Sequence, residues 1–149
     1  MSRGSGHSDT GRDLDNIMIL LYKIYVMEWE VEYTDQFREW WDDLSEEEQE
    51  AVTAAVNVLA RRGPSLGRPL VDTIKQSRHA NMKELIPPAS DIRVLFAFDP
   101  RRTAILLIGG DKGGEWNAWY DQIVPIADDL FDEHLQELES EGAPNAEDS

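Results

Sequence analysis

Residues 92–108 read IRVLFAFDPRRTAILLI, and this stretch decides the fold. Ile92, Val94, Phe96 and Phe98 alternate onto one face, the period of a β-strand. Asp99-Pro100-Arg101-Arg102 supplies turn residues. Thr103 to Ile108 is then a continuous apolar run, which suits a central strand buried on both faces. Strands joined by so short a turn pair antiparallel. Just upstream, His79 to Ile86 (HANMKELI) offers a third strand, closed by Pro87-Pro88. Just downstream, Gly109 to Gly114 (GGDKGG) is a flexible turn.

Farther out, the period changes to that of helices. Phe37, Trp40, Trp41 and Leu44 fall at i, i+3, i+4, i+7 behind Thr34, a helix N-cap. Ser45-Glu46-Glu47-Glu48 reads as a capping box that opens a second helix. Val52, Ala55, Val56 and Leu59 form its stripe, and Gly63-Pro64 ends it. Residues 64–76 read as a connector. Trp29 to Tyr33 (WEVEY) alternates as a half-buried strand ahead of the hairpin. After the central strands, Ile123, Ile126, Ala127, Leu130, Phe131, His134, Leu135 and Leu138 recur at helical spacing. Pro125 suits a first turn, so this helix is expected to start near it. The expected fold is α+β: a compact antiparallel sheet with an N-terminal helical hairpin and a C-terminal helix.

The chain has 149 residues, the length of one domain. That domain is expected over 28–138. Residues 1–27 read as an extension outside it, with Met27 as the natural start. Residues 139–149 read as an acidic disordered tail. The apolar stretch 17–27 (IMILLYKIYVM) is shorter than the ~20 residues that span a bilayer. No cysteine is present, which excludes disulfides, thiolate metal sites and a cysteine nucleophile, and makes the cytoplasm the expected compartment. The net charge of −16 argues against a nucleic-acid binder. The charge is segregated, however. Residues 61–112 hold ten Lys and Arg against five Asp and Glu, a local +5, while the remainder holds four against twenty-five. Either one basic working surface sits on an acidic body, or the helices simply carry solvated acidic faces.

Three stretches in order, GPSLGRPLVDTIKQSRHANMKEL (63–85), IRVLFAFDPRRTAILLIGGDKGGEW (92–116) and WYDQIVPIADDLFDEHL (119–135), resemble the Gp49-like branch of HigB toxins. That branch belongs to the RelE/ParE superfamily of toxin–antitoxin systems. The resemblance implies a RelE-like fold and a helix-turn-helix, HigA-like antitoxin as partner. It also implies a cytoplasmic toxin that cuts messenger RNA on the translating ribosome. Two other readings stay open: a ParE-like inhibitor of DNA gyrase without nuclease activity, and a non-toxic protein that only binds its antitoxin.

RNA cleavage through the substrate's own 2′-hydroxyl needs a base, cations on the phosphate and an acid, with no metal or cofactor. Arg93 points off the Ile92/Val94/Phe96/Phe98 face; it either grips a phosphate or pairs with a carboxylate such as Glu84. As a strand-surface residue it should be replaceable by alanine without loss of the fold. Lys83 is a phosphate clamp, a base, or an ordinary strand lysine. His79 is the one histidine of the basic segment and completes the catalytic candidates. Arg68, Lys75 and Arg78, on or beside the connector, are candidate RNA-backbone contacts. Lys112 in the Gly-rich turn is another. Trp119 and Tyr120 either stack on an unstacked base or pack the core. His134 lies on the apolar side of the last helix and reads as structural.

Overall fold

The computed structural model describes residues 17–18, 28–111, 113 and 116–142. Expectations placed on residues 1–16, 19–27, Lys112 and 143–149 lie outside the described residues. The chain runs β1 (Val31–Tyr33), α1 (Asp35–Asp42), α2 (Glu46–Arg62), a 3₁₀ turn (Gly63–Ser65), β2 (Val71–Thr73), β3 (Lys83–Leu85), β4 (Ile92–Phe98), β5 (Ala104–Asp111) and α3 (Trp116–Ser140). The five strands form one sheet in the order β1-β5-β4-β3-β2.

The helical hairpin starts where its caps dictate. Thr34 Oγ1 accepts from Phe37 N at 3.0 Å and donates to the Leu107 carbonyl at 2.6 Å, which fastens the start of α1 to the central strand. Ser45 and Glu48 exchange both bonds of the capping box at the start of α2. Glycine at 109 lets α1 approach β5: a Cβ there would lie 2.4 Å from the Trp40 ring.

The helices cover both faces of the sheet. On one, Val94, Phe96, Leu85 and Leu106 meet Phe37, Val52, Ala55 and Leu59 of the hairpin. On the other, Leu95, Ala97, Ile105 and Leu107 meet Val124, Ala127, Leu130 and Phe131 of α3. Two-sided burial explains why β4 and β5 are so apolar throughout.

Three differences from the sequence reading have physical causes. β3, β4 and β5 pair antiparallel as expected, but β1 lies parallel to β5, because the helical hairpin carries the chain back across one face before β2 begins. Val71–Thr73, inside the expected connector, forms an edge strand on β3, and only Lys83–Leu85 of the third strand candidate is extended. The last helix begins at Trp116 and contains Pro125. Its first turns are held by Trp119, Tyr120 and Ile123 against the sheet, which offsets the backbone bond that proline forgoes.

Candidate active site

Arg93 stands on β4 opposite Gly110 of β5 and faces α3. It is buried, at 9% exposure. Its Nη1 donates to the carbonyls of Ile92 at 2.7 Å and Ser90 at 3.3 Å. Its Nε lies 3.9 Å from Glu84 Oε1. Glu84, on the neighbouring β3, is equally buried, and the same oxygen accepts from the Tyr120 hydroxyl at 2.7 Å. Burial, reinforced by the Glu84 carboxylate and opposed by Arg93, pushes the Tyr120 phenol above its ordinary pKa, so it keeps its proton. Trp119 packs edge-on to Tyr120 at 5.1 Å and lies over Gly110, where a Cβ would come within 3.0 Å of its indole.

Carboxylate, guanidinium and phenol thus meet between the sheet and the first turns of α3. A base, a cation and a proton donor within one cluster can serve phosphoryl-transfer chemistry. Arg93 and Tyr120 were visible in the sequence. Glu84 was visible only as a salt-bridge partner for Arg93; its parity with an adjacent strand was the available signal. The two readings of Arg93 are not exclusive, since it pairs with Glu84 and also belongs to this cluster.

The other expected catalytic residues stand elsewhere. Lys83 follows the parity of Leu85, which packs under the hairpin, so strand alternation places it on the face away from Glu84 and Arg93. His79 bonds Asp132 through Nε2 at 2.8 Å and packs edge-on to Phe131. Asp132 lies twelve residues beyond Tyr120, or about 18 Å along the helix axis at 1.5 Å per residue. His79 is therefore outside the cluster.

A single basic face is not formed among the described residues. Arg68 pairs with Asp72 at 2.6 Å. Arg78 is held by Asp132, by Asp129 at 3.1 Å and by Asp128 at 3.9 Å, which raises its pKa further. Arg101 bonds Asp99 and Glu32, each at 2.8 Å. Arg102 lies over the Trp29 ring at 4.4 Å. Lys75 is exposed and has no partner among the described residues. The basic segment of the sequence scatters over the molecule, and most of its arginines have their own acids. His134 is structural, as expected: it bonds buried Asp99 at 2.8 Å. Burial opposes ionisation of Asp99, but bonds from His134, Arg101 and the Thr103 amide outweigh it and hold its pKa low.

The model of one family, the phage-derived protein Gp49-like (DUF891), matches residues 39–132. The chain is 52% identical over 103 residues to a Mycobacterium tuberculosis (strain ATCC 25618 / H37Rv) protein that carries the name toxin HigB2. The match covers 67% of this chain and 51% of the relative, so the chain spans about half the length of that protein. It is also 52% identical over 93 residues to the protein of the same strain that carries the name toxin HigB3, covering 62% of this chain and 82% of the relative. Among solved structures, the archaeal RelE of a RelE–RelB complex from Pyrococcus horikoshii OT3 aligns with a TM-score of 0.47 at 14% identity, over 58% of this chain and 98% of that one. Among the described residues, no helix is long and apolar enough to cross a membrane.

Proposed function

The chain belongs to the phage-derived Gp49-like family, and from that premise we propose that it is the toxin of a type II toxin–antitoxin pair, a messenger-RNA endoribonuclease acting on the translating ribosome. The observation that carries the toxin assignment is the 52% identity to two proteins bearing toxin names. What supports the nuclease step is the Glu84–Tyr120–Arg93 cluster.

In the proposed reaction, Glu84 takes the proton of the 2′-hydroxyl as that oxygen attacks the adjacent phosphorus. Arg93 stabilises the charge that develops on the phosphoryl oxygens. The bond from phosphorus to the 5′-oxygen breaks, and Tyr120, which burial keeps protonated, gives its proton to that oxygen. The products are a 2′,3′-cyclic phosphate and a free 5′-hydroxyl. The substrate supplies the nucleophile, so no metal or cofactor enters. Lys75 remains available as an RNA-backbone contact, and Trp119 flanks the cluster as a surface for a base. The proposed setting is the cytoplasm, and the proposed partner that restrains the toxin is a HigA-like helix-turn-helix protein.

Induction in cells, with labelled methionine and thymidine followed together, tests the assignment. An early stop in methionine incorporation is expected, with toe-printing showing cuts in a translated message. An early stop in thymidine incorporation instead would favour gyrase inhibition. Continued growth at full soluble expression would remove the toxin assignment altogether.

A further inference from the structure

β1 is an edge strand whose outer side has a distinctive pair of flanks. Ala104 N donates to Glu30 O, and Thr34 N donates to Leu106 O, so even-numbered residues bond β5. That alternation turns the backbone N–H and C=O of Val31 and Tyr33 outward, where no described strand pairs with them. On the hairpin face, this edge borders a mainly apolar groove of about 470 Å³ walled by Val31, Tyr33, Phe37, Trp41, Val52 and Val56, with one cation and one acid, Arg38 and Asp42, also in its lining. Tyr33 is 51% exposed there. On the α3 face, the same edge borders a hollow of about 250 Å³ with Glu32, Asp35, Glu133 and Glu137 in its lining. Arg101 already engages Glu32, and His134 is turned to Asp99. Asp35, Glu133 and Glu137 are exposed and have no cationic partner among the described residues.

A strand added to an edge sends successive side chains to opposite faces of the sheet. Here one face is mainly apolar and the other acidic. We infer that the open edge of β1 is a docking site for an extended segment of a partner protein in which large apolar and basic residues alternate. The apolar set fills the groove under Phe37 and Trp41, the basic set meets Asp35, Glu133 and Glu137, and the main chain pairs with Val31 and Tyr33. A segment of the same composition in blocks cannot satisfy both faces at once. An acidic strand would be repelled. The proposal goes beyond the nuclease reading and stands or falls separately from it.

The test uses the full chain and a labelled peptide of about seven residues, the scale of a strand, alternating Arg with Val or Leu. A peptide of identical composition in blocked order is the control. The alternating peptide is expected to bind at least tenfold more tightly than the blocked one, and to slow exchange of the Val31 and Tyr33 amide protons. Combined Glu133→Gln and Glu137→Gln, both on the exposed side of α3, should weaken it about fivefold, as loss of two surface ion pairs would. Tyr33→Pro removes one outward N–H while leaving the bonds to β5, and should weaken it too. Equal affinity for both peptides overturns the proposal, as does indifference to the two glutamates. No binding, or sedimentation showing that a second copy of the chain occupies the edge, overturns it as well.

Discussion

Tyr120 donates its hydroxyl proton to a buried carboxylate, and that single bond separates its chemical from its structural role. Tyr120→Phe keeps the ring against Trp119 and removes only the hydroxyl. It should cost about 1 kcal/mol of stability, read by thermal melting. Cleavage in a toe-printing assay should fall about a hundredfold or more, the scale of a lost proton donor. Full activity would remove Tyr120 from the reaction. Arg93 needs more care. The strand pattern suggested that alanine there would be harmless, yet the guanidinium is buried beside Glu84. Arg93→Ala leaves that carboxylate without its cation and should destabilise by roughly 2–4 kcal/mol. Arg93→Lys is therefore the informative variant: near-normal melting with strongly reduced cleavage is expected, because one ammonium cannot hold the Ile92 carbonyl and Glu84 and also meet a phosphate. Equal loss of both would make Arg93 structural only. The period-2 pattern of β4 revealed which way Arg93 points. It could not reveal that a helix far along the chain covers that side.

Among the elements, the β4–β5 turn is the most tightly tied. Asp99, 4% exposed, receives Arg101 and the Thr103 amide from its own turn and His134 from α3, while Arg101 reaches on to Glu32 of β1. Its carboxyl has a lower pKa folded than the ordinary 3.8, so unfolding takes up a proton at acid pH. The stability it provides is complete above pH 3.8 and is lost as the pH falls through the lowered value. Asp99→Asn should thus be less stable than the parent by about 2 kcal/mol near neutrality. The gap should narrow below pH 4 in urea titrations; a gap independent of pH would contradict this account. From the sequence, this turn was legible as a turn, and the caps of α1 and α2 were legible to the residue. β2 was not, because three residues carry too little pattern to stand out from a connector. Nor was the early start of α3, since proline is a helix breaker by local rules and only tertiary contacts, Trp119 over Gly110 and Tyr120 on Glu84, override them.

For the whole molecule, charge sets the terms. A body of net −16 in which Arg68, Arg78, Arg93 and Arg101 are held by acids has little attraction for a free polyanion. The protein should leave naked messenger intact at physiological salt and cut it only when ribosomes are translating it. Gels of end-labelled message with and without ribosomes read this directly, and cleavage without ribosomes would overturn it. The sum of charges and its uneven spread along the chain were plain from the sequence. Their pairing in space was not, because it depends on contacts between distant elements: Arg78 meets the acids of α3, and Arg101 meets Glu32 of β1.

The parallel pairing of β1 with β5 has a temporal side. Thr34 is fastened to a carbonyl 73 positions later, in a strand made only after the hairpin and β2 to β4. During synthesis β1 thus waits unattached until β5 has emerged, and the loop that must close is long. Until that loop closes, the sheet that carries Glu84 and Arg93 lacks its β1 edge, which suits a protein whose proposed target is the machine that is making it.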